Sequence, residues 1–147
     1  MKAKATEKKK YGALAIESNQ LEPIPFTFDE PKTLIYFTCP EGTSICPRSG
    51  FPDFWTAHIW YVPDQFIVEL KTLKLYINSF RDKAHYHEEL PHLMLADLRK
   101  ALKPSYVRIV MDYTRRGNVQ TDVILEYAAS GYKGPRAPEW KVRYDFR

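Results

Sequence analysis

Two helical apolar stripes follow one another between Leu70 and Leu102, with strand-like runs on both sides of them. That order limits the fold more than any other feature. In the first stripe Leu70, Leu73, Leu75, Tyr76, Ile77 and Phe80 form one face, interrupted by Lys71 and Lys74. The second runs from His87 to Leu102, with Leu90, Leu93, Met94, Leu98, Ala101 and Leu102 at helical spacing and Pro104 as the stop. Ahead of the helices, Thr33 to Cys39 and Phe54 to Val62 read as strands, and Phe66 to Val68 as a short extended piece. Pro40 to Pro52 reads as a loop, because three prolines and two glycines fall within it. After the helices, Tyr106 to Thr114 and Val119 to Tyr127 flank Arg115-Arg116-Gly117-Asn118, a hairpin turn. Strand, strand, helix, helix, strand, strand predicts an α+β fold: an antiparallel sheet with both helices on one face.

At 147 residues the chain suits a single domain, which buries roughly 70% of its unfolded surface and needs no staples. Residues 1–22 read as a flexible basic leader and 23–147 as the domain, with the stretch from Gly131 wrapping a surface. The net charge of +4 gathers at the ends, in Lys2, Lys4, Lys8, Lys9 and Lys10 and in Lys141, Arg143 and Arg147. Terminal runs of this kind are normally solvated tails. No apolar run approaches the ~20 residues of a membrane span, and no secretory signal opens the chain. The two cysteines, Cys39 and Cys46, do not make a disulfide scaffold, and the expected compartment is the reducing cytoplasm. The 14% aromatic content reads as sheet core.

Cys46 is the first candidate for chemistry. It lies in a stiff loop, Ser44-Ile45-Cys46-Pro47-Arg48-Ser49-Gly50-Phe51-Pro52-Asp53. A buried structural cysteine belongs in an apolar element, as Cys39 does at the end of its strand. A loop thiol near a cation is instead suited to forming the attacking thiolate. Asp53 can fold back towards it and deliver protons, or simply end a turn. His87-Glu88 opens the second helix. Glu88 either serves the helix dipole or accepts N–H bonds from a guanine-like edge. His85 and His87 lack the partners and spacing of a metal site, so no metal is expected. Lys71, Lys74 and Arg116 are solvated charges or phosphate contacts. There is no glycine-rich dinucleotide fingerprint.

Taken together these segments resemble the NADPH-dependent 7-cyano-7-deazaguanine reductases of queuosine biosynthesis, in their short single-module form. Glu69-Leu70-Lys71-Thr72-Leu73-Lys74-Leu75-Tyr76 is similar to the family motif, and Ser79-Phe80-Arg81 follows it as in the family. The stretches from Phe37 to Glu41 and from Cys46 to Phe54 resemble the nucleophile loop, His87-Glu88 the substrate pair, and Arg116-Gly117 the cofactor hairpin. The match covers roughly 33–127. Thr72 and Phe51 depart from it, standing where the family usually has Ser or Ala and often has Gln.

The resemblance implies a tunnelling fold whose subunits close their sheets into a barrel, with active sites between subunits of a homo-oligomer. It implies Cys46 as the nucleophile that forms a thioimide with the nitrile, and Asp53 as the proton donor. Val68, Glu69, Leu70, His87 and Glu88 would hold the deazaguanine substrate. Lys71, Lys74, Arg116 and Gly117 would meet NADPH, used as co-substrate. Neither a membrane nor direct nucleic-acid binding is expected. Three other readings compete. An amidinotransferase-like relative would act on the same nitrile attached to tRNA, but the Lys-bearing motif speaks against it. A non-catalytic purine- or RNA-binding member would not need Cys46, Asp53 and Glu88 intact. A zinc cyclohydrolase of the same fold lacks its ligands here. The sequence leaves open a Cys39–Cys46 disulfide, which would block the thiol until reduced.

Overall fold

The computed structural model describes residues 8–17 and 20–141. In chain order the elements are α1 (Tyr11–Glu17), β1 (Pro23–Pro25), β2 (Ile35–Ile45), β3 (Pro52–Val62), β4 (Phe66–Val68), α2 (Leu70–Asn78), α3 (Glu89–Leu102), β5 (Tyr106–Tyr113) and β6 (Asp122–Ala128). β2, β3, β5 and β6 form one antiparallel sheet in that order, and β1 pairs antiparallel with β4 apart from it. This is the α+β arrangement with an antiparallel sheet that the element order predicts.

Strand alternation sorts the side chains. Trp55, Ala57, Ile59 and Tyr61 of β3 and Val107, Ile109, Met111 and Tyr113 of β5 point one way. They pack against Leu73, Tyr76 and Ile77 of α2 and Leu90, Met94, Leu98 and Leu102 of α3. The opposite face buries Trp60, Val62, Tyr106 and Val110 under Tyr132, Ala137 and Trp140. The C-terminal stretch is therefore a cover for that face, as expected from Gly131 onward. Trp140 Nε1 donates to Asp122 Oδ2 at 2.9 Å, Arg108 Nη1 to the Pro138 carbonyl at 3.2 Å, and the Ala137 amide to the Tyr106 hydroxyl at 3.1 Å.

Several boundaries differ from the sequence expectation. β2 does not stop at Cys39 but runs through Pro40 to Ile45. Cys39 pairs with Ala57 and Gly42 with Trp55, so three steps on β2 oppose two on β3: a β-bulge. Proline is tolerated because β2 is an edge strand, where its missing N–H costs no ladder bond. The extra residue also switches which parity faces the helices. Phe37 and Cys39 pack against the core before the bulge, and Gly42 and Ser44 are buried after it. Cys39 and Cys46 are spread along this extended run, on the order of 20 Å apart. A disulfide needs Cα atoms within about 7 Å, so the two cannot bond in this fold.

α3 begins at Glu89 rather than His87. The Glu89 carboxylate accepts from the Tyr86 amide at 2.9 Å, and the Glu89 amide donates to the Tyr86 carbonyl at 3.1 Å, which closes the first turn there. β6 begins at Asp122 rather than Val119, because the Gln120 side-chain amide donates to Asp112, to Asp122 and to the Tyr113 carbonyl and holds the hairpin open. Within the expected leader, Tyr11–Glu17 is helical.

Candidate active site

The end of β2 is stitched on two sides. Ser44 pairs with Asp53 on β3, and Ile45 forms a parallel bridge to Ala84. The Ile45 amide donates to the Lys83 carbonyl at 2.9 Å, and the His85 amide to the Ile45 carbonyl at 3.1 Å. These bonds draw the His85–Glu88 segment against the Cys46 loop. The loop itself is a tight turn. The Cys46 amide donates to the Phe51 carbonyl and the Gly50 amide to the Cys46 carbonyl, both at 2.9 Å. Gly50 has φ +72°, a conformation that favours glycine.

The result is a cleft of about 240 Å³ lined by Cys46, Pro47, Asp53, His85, Tyr86, His87, Glu88 and Arg116. Residues separated by as much as seventy positions in sequence meet there. Asp53 continues the inward phase of Trp55, Ala57 and Ile59, which puts a carboxylate in a core-facing slot only 3% exposed. Burial of a charge this deep requires partners. Arg116 Nη1 lies 2.9 Å from Asp53 Oδ1, and His87 Nε2 lies 3.5 Å from the same oxygen.

The Cys46 thiol is pulled down to about 6. The Ser49 hydroxyl is the leading cause, followed by the Ser49 amide, the Arg116 side chain and the Arg48 amide, all hydrogen-bonding the sulfur. At neutral pH Cys46 is therefore mostly thiolate, against a few per cent for an unassisted thiol. Cys39 is shifted the other way by burial, which fits the structural role expected of it.

His87 is clamped by Tyr113. Their rings stack at 3.8 Å and 9°, and the Tyr113 hydroxyl donates to the His87 carbonyl at 3.0 Å. Glu89 serves the helix terminus, whereas Glu88 makes no side-chain cap and faces the cleft. Glu88 and His85 also line an adjoining cleft of about 470 Å³ with Glu89, His92 and Leu93. Ser49 and Tyr113 received no role from the sequence. Tyr113 had a detectable signal, since it extends the Val107-Ile109-Met111 phase to the strand's end beside the site. Ser49 had none beyond its place in the loop.

The other predicted residues lie elsewhere. Val68, Glu69, Leu70, Lys71 and Lys74 sit at the start of α2, whose nine residues span about 13 Å, and none of them lines the Cys46 cleft. The Glu69 carboxylate caps α2, accepting from the Lys71 amide at 3.0 Å and the Thr72 amide at 2.7 Å, which holds its pKa below the usual range. Val68 is buried and its amide donates to the Tyr61 hydroxyl at 3.2 Å, while Leu70 is exposed. Lys71 and Lys74 are exposed one turn apart on α2, and neither enters an ion pair among the described residues. Gly117, with φ +59°, forms the hairpin tip beside Arg116. Among the described residues no three His, Cys, Asp or Glu side chains gather as a metal site, and no helix is long and apolar enough to cross a membrane.

A family profile described as "QueF-like protein" matches residues 52–132. A protein of Aquifex aeolicus named NADPH-dependent 7-cyano-7-deazaguanine reductase is 46% identical over 117 residues, covering 80% of this chain and 91% of its own length. The chain belongs to the NADPH-dependent 7-cyano-7-deazaguanine reductase family. A member from Thermomicrobium roseum with the same name is 45% identical over 118 residues, covering 80% of this chain and 91% of that one. Among solved structures, an archaeosine synthase described as QueF-Like, in its apo form, superposes with a TM-score of 0.63 at 25% identity, covering 69% of this chain and 98% of that one. The reductases are thus much nearer in sequence than this synthase, which shares the fold. Lys71 and Lys74, exposed and in no ion pair among the described residues, carry charge of the sign that an anionic ligand needs.

Proposed function

We propose that this protein reduces the nitrile of 7-cyano-7-deazaguanine to the aminomethyl group, with NADPH as reductant and Cys46 as covalent nucleophile. The observation that carries the reading is a thiol held at about pKa 6 in the same small cleft as a buried carboxylate. A nitrile carbon is a poor electrophile, and a thiolate is the form of cysteine able to attack it. The sulfur lone pair forms the S–C bond, one C≡N π pair moves to nitrogen, and nitrogen takes a proton that Asp53 has first taken up from solvent as the carboxylic acid, giving a thioimide. The reduced nicotinamide supplies hydride, of which a nitrile needs two to become an amine. The covalent bond keeps the carbon in place for the first of them; the S–C bond then breaks, sulfur leaves as thiolate, and the second hydride with a proton reduces the resulting imine to the amine.

Glu88 stands at the junction of the two clefts. A planar base bonded to its carboxylate by ring N–H groups would lie in the larger cleft and point its nitrile at Cys46. His87, fixed by Tyr113, borders the same path. Lys71 and Lys74 are the phosphate contacts. Their place at the far end of α2, with Val68, Glu69 and Leu70, supports a site completed by a second subunit. We infer a homo-oligomer in which one protomer gives Cys46, Asp53, His87 and Glu88 and its neighbour gives the start of α2. Queuosine biosynthesis takes place on this reading in the cytoplasm.

The test has two stages. The protein is mixed with 7-cyano-7-deazaguanine alone, and intact mass reports the adduct on Cys46. NADPH is then added and loss of the reduced-nicotinamide absorbance is followed. Adduct and oxidation are both expected, and Cys46→Ala removes both. An adduct without oxidation would refute the reductase and leave the nucleophile; no adduct would refute the covalent step.

A further inference from the structure

Arg116 stands in the family resemblance as a phosphate contact, yet its guanidinium lies in the Cys46 cleft. Nη1 is 2.9 Å from Asp53 Oδ1, and the same side chain lines the cleft with Cys46 and favours its thiolate. One permanent cation thus meets two groups that are anionic when ionised. The Asp53 side chain is 2% exposed and the Arg116 side chain 43%, so the carboxylate is the fixed end of the pair and the guanidinium the open one. Its backbone is anchored as well: the Arg116 amide and the Val119 carbonyl are bonded at 3.1 Å across the hairpin tip.

The other groups around the thiol do not duplicate it. Ser49 gives a hydroxyl and an amide, and Arg48 an amide. His85, Tyr86, His87 and Glu88 approach from the segment before α3, and Asp53 from β3. His87 reaches Asp53 at 3.5 Å, but among these groups only Arg116 spans the carboxylate and the sulfur together.

We propose that Arg116 is a positioning residue of the reaction centre, its guanidinium holding the Cys46 sulfur and the Asp53 carboxylate side by side before substrate or cofactor enters. The inference rests on Cys46 being the nucleophile of the reading above, and it separates Arg116 from Lys71 and Lys74 in role. An opposite charge within about 4–6 Å favours an ionised group by about one to three pH units, and the half-exposed position of Arg116 puts its effect on the thiol at the lower end.

The experiment uses the protein free of substrate and NADPH. Alkylation of Cys46 by iodoacetamide is followed against pH, read on the Cys46 peptide by mass spectrometry so that Cys39 does not contribute. The parent protein should show a midpoint at about 6. Arg116→Met should raise it by about one pH unit and slow alkylation at pH 6 about fivefold. Arg116→Lys, which keeps charge but loses the planar fork, should recover part of the shift. Arg116→Gln repeats the charge removal with a polar side chain if the methionine disturbs the hairpin. Profiles for Arg116→Met and Arg116→Gln that coincide with the parent would overturn the inference. A raised KM for NADPH with an unmoved thiol profile would also overturn it, assigning Arg116 to phosphate alone and leaving the reductase reading intact. Failure of that reading shows separately, as the parent protein forming no adduct with 7-cyano-7-deazaguanine.

Discussion

Gly42→Ala should be one of the most damaging single-methyl additions in the chain. Gly42 follows the β2 bulge and lies directly against the Trp55 ring. A Cβ there would sit 1.9 Å from Trp55 Cε3, 2.1 Å from Cζ3 and 2.3 Å from Cδ2. The ring cannot move aside easily, since Trp55 is 1% exposed and its Nε1 donates to the buried Ser44 hydroxyl at 3.2 Å. Either β2 withdraws from β3 over Gly42–Ile45, or Trp55 leaves its slot and strands the Ser44 contact. Overpacking costs about 1–3 kcal/mol, and a buried hydrogen bond left unmade about 1–3 kcal/mol more. The expected loss is therefore about 4 kcal/mol, a large share of the ~5–15 kcal/mol that holds a domain folded. With a urea slope of about 2 kcal/mol per molar, the unfolding midpoint, followed by tryptophan fluorescence, should fall by about 2 M. Ser44 is the register partner of Asp53 and lies two residues before Cys46, so adduct formation should slow even in the folded fraction. A urea midpoint within about 0.3 M of the parent would refute the packing of Gly42 on Trp55.

Four other outcomes follow from the site. The rate of adduct formation should rise with pH through about 6, because the thiolate attacks and is lost as pH falls through that value. Ser49→Ala removes the leading support of the thiolate and should move the midpoint upward, and an unchanged pH profile would remove Ser49 from the centre. Lys71→Gln with Lys74→Gln should raise KM for NADPH at least tenfold, about 1.4 kcal/mol, with kcat little altered; a KM within twofold of the parent would dismiss both as phosphate contacts. Glu88→Leu should weaken binding of the base by about 10- to 100-fold in calorimetry, the worth of hydrogen bonds to a charged group, and an unaltered Kd would refute its contact with the base.

The order of the four main strands and of α2 and α3, and most of each helix face, were legible because they depend on local periodicity, while Leu70 and Leu93, counted into the two stripes, are exposed, and α1 and β1 were not foreseen. The path of β2 was not. Pro40, Gly42 and Pro47 carry the composition of a loop, and only the edge position of the strand, a tertiary fact, lets Pro40 remain in it. Glu88 and Glu89 are interchangeable in sequence as helix-terminal acids, and the turn at Tyr86 decides that Glu89 caps while Glu88 faces the cleft. At the site, the sharing of one cleft by Cys46 and Asp53 follows from a short loop between strands. The two-residue clamp of His87 by Tyr113 joins positions that only sheet pairing brings together. The start of α2 illustrates the opposite limit: the Glu69–Tyr76 motif is plain in sequence, but within one chain Glu69 spends its carboxylate on the helix terminus.

The cover laid by Tyr132, Ala137 and Trp140 bears on where the sheet could take up a further strand. Helices cover one face of the sheet, and the C-terminal stretch covers part of the other, leaving Tyr36, Phe54 and Ile124 exposed there. For backbone pairing, what the sheet offers is its rims, β2 and β6. The β2 rim is blunted midway, where Pro40 has no amide to offer and the bulge breaks the spacing of the remaining ones. In the homo-oligomer proposed above, any growth of the sheet would therefore be sideways, and on the β2 side it would be limited to the unkinked stretches on either side of that proline.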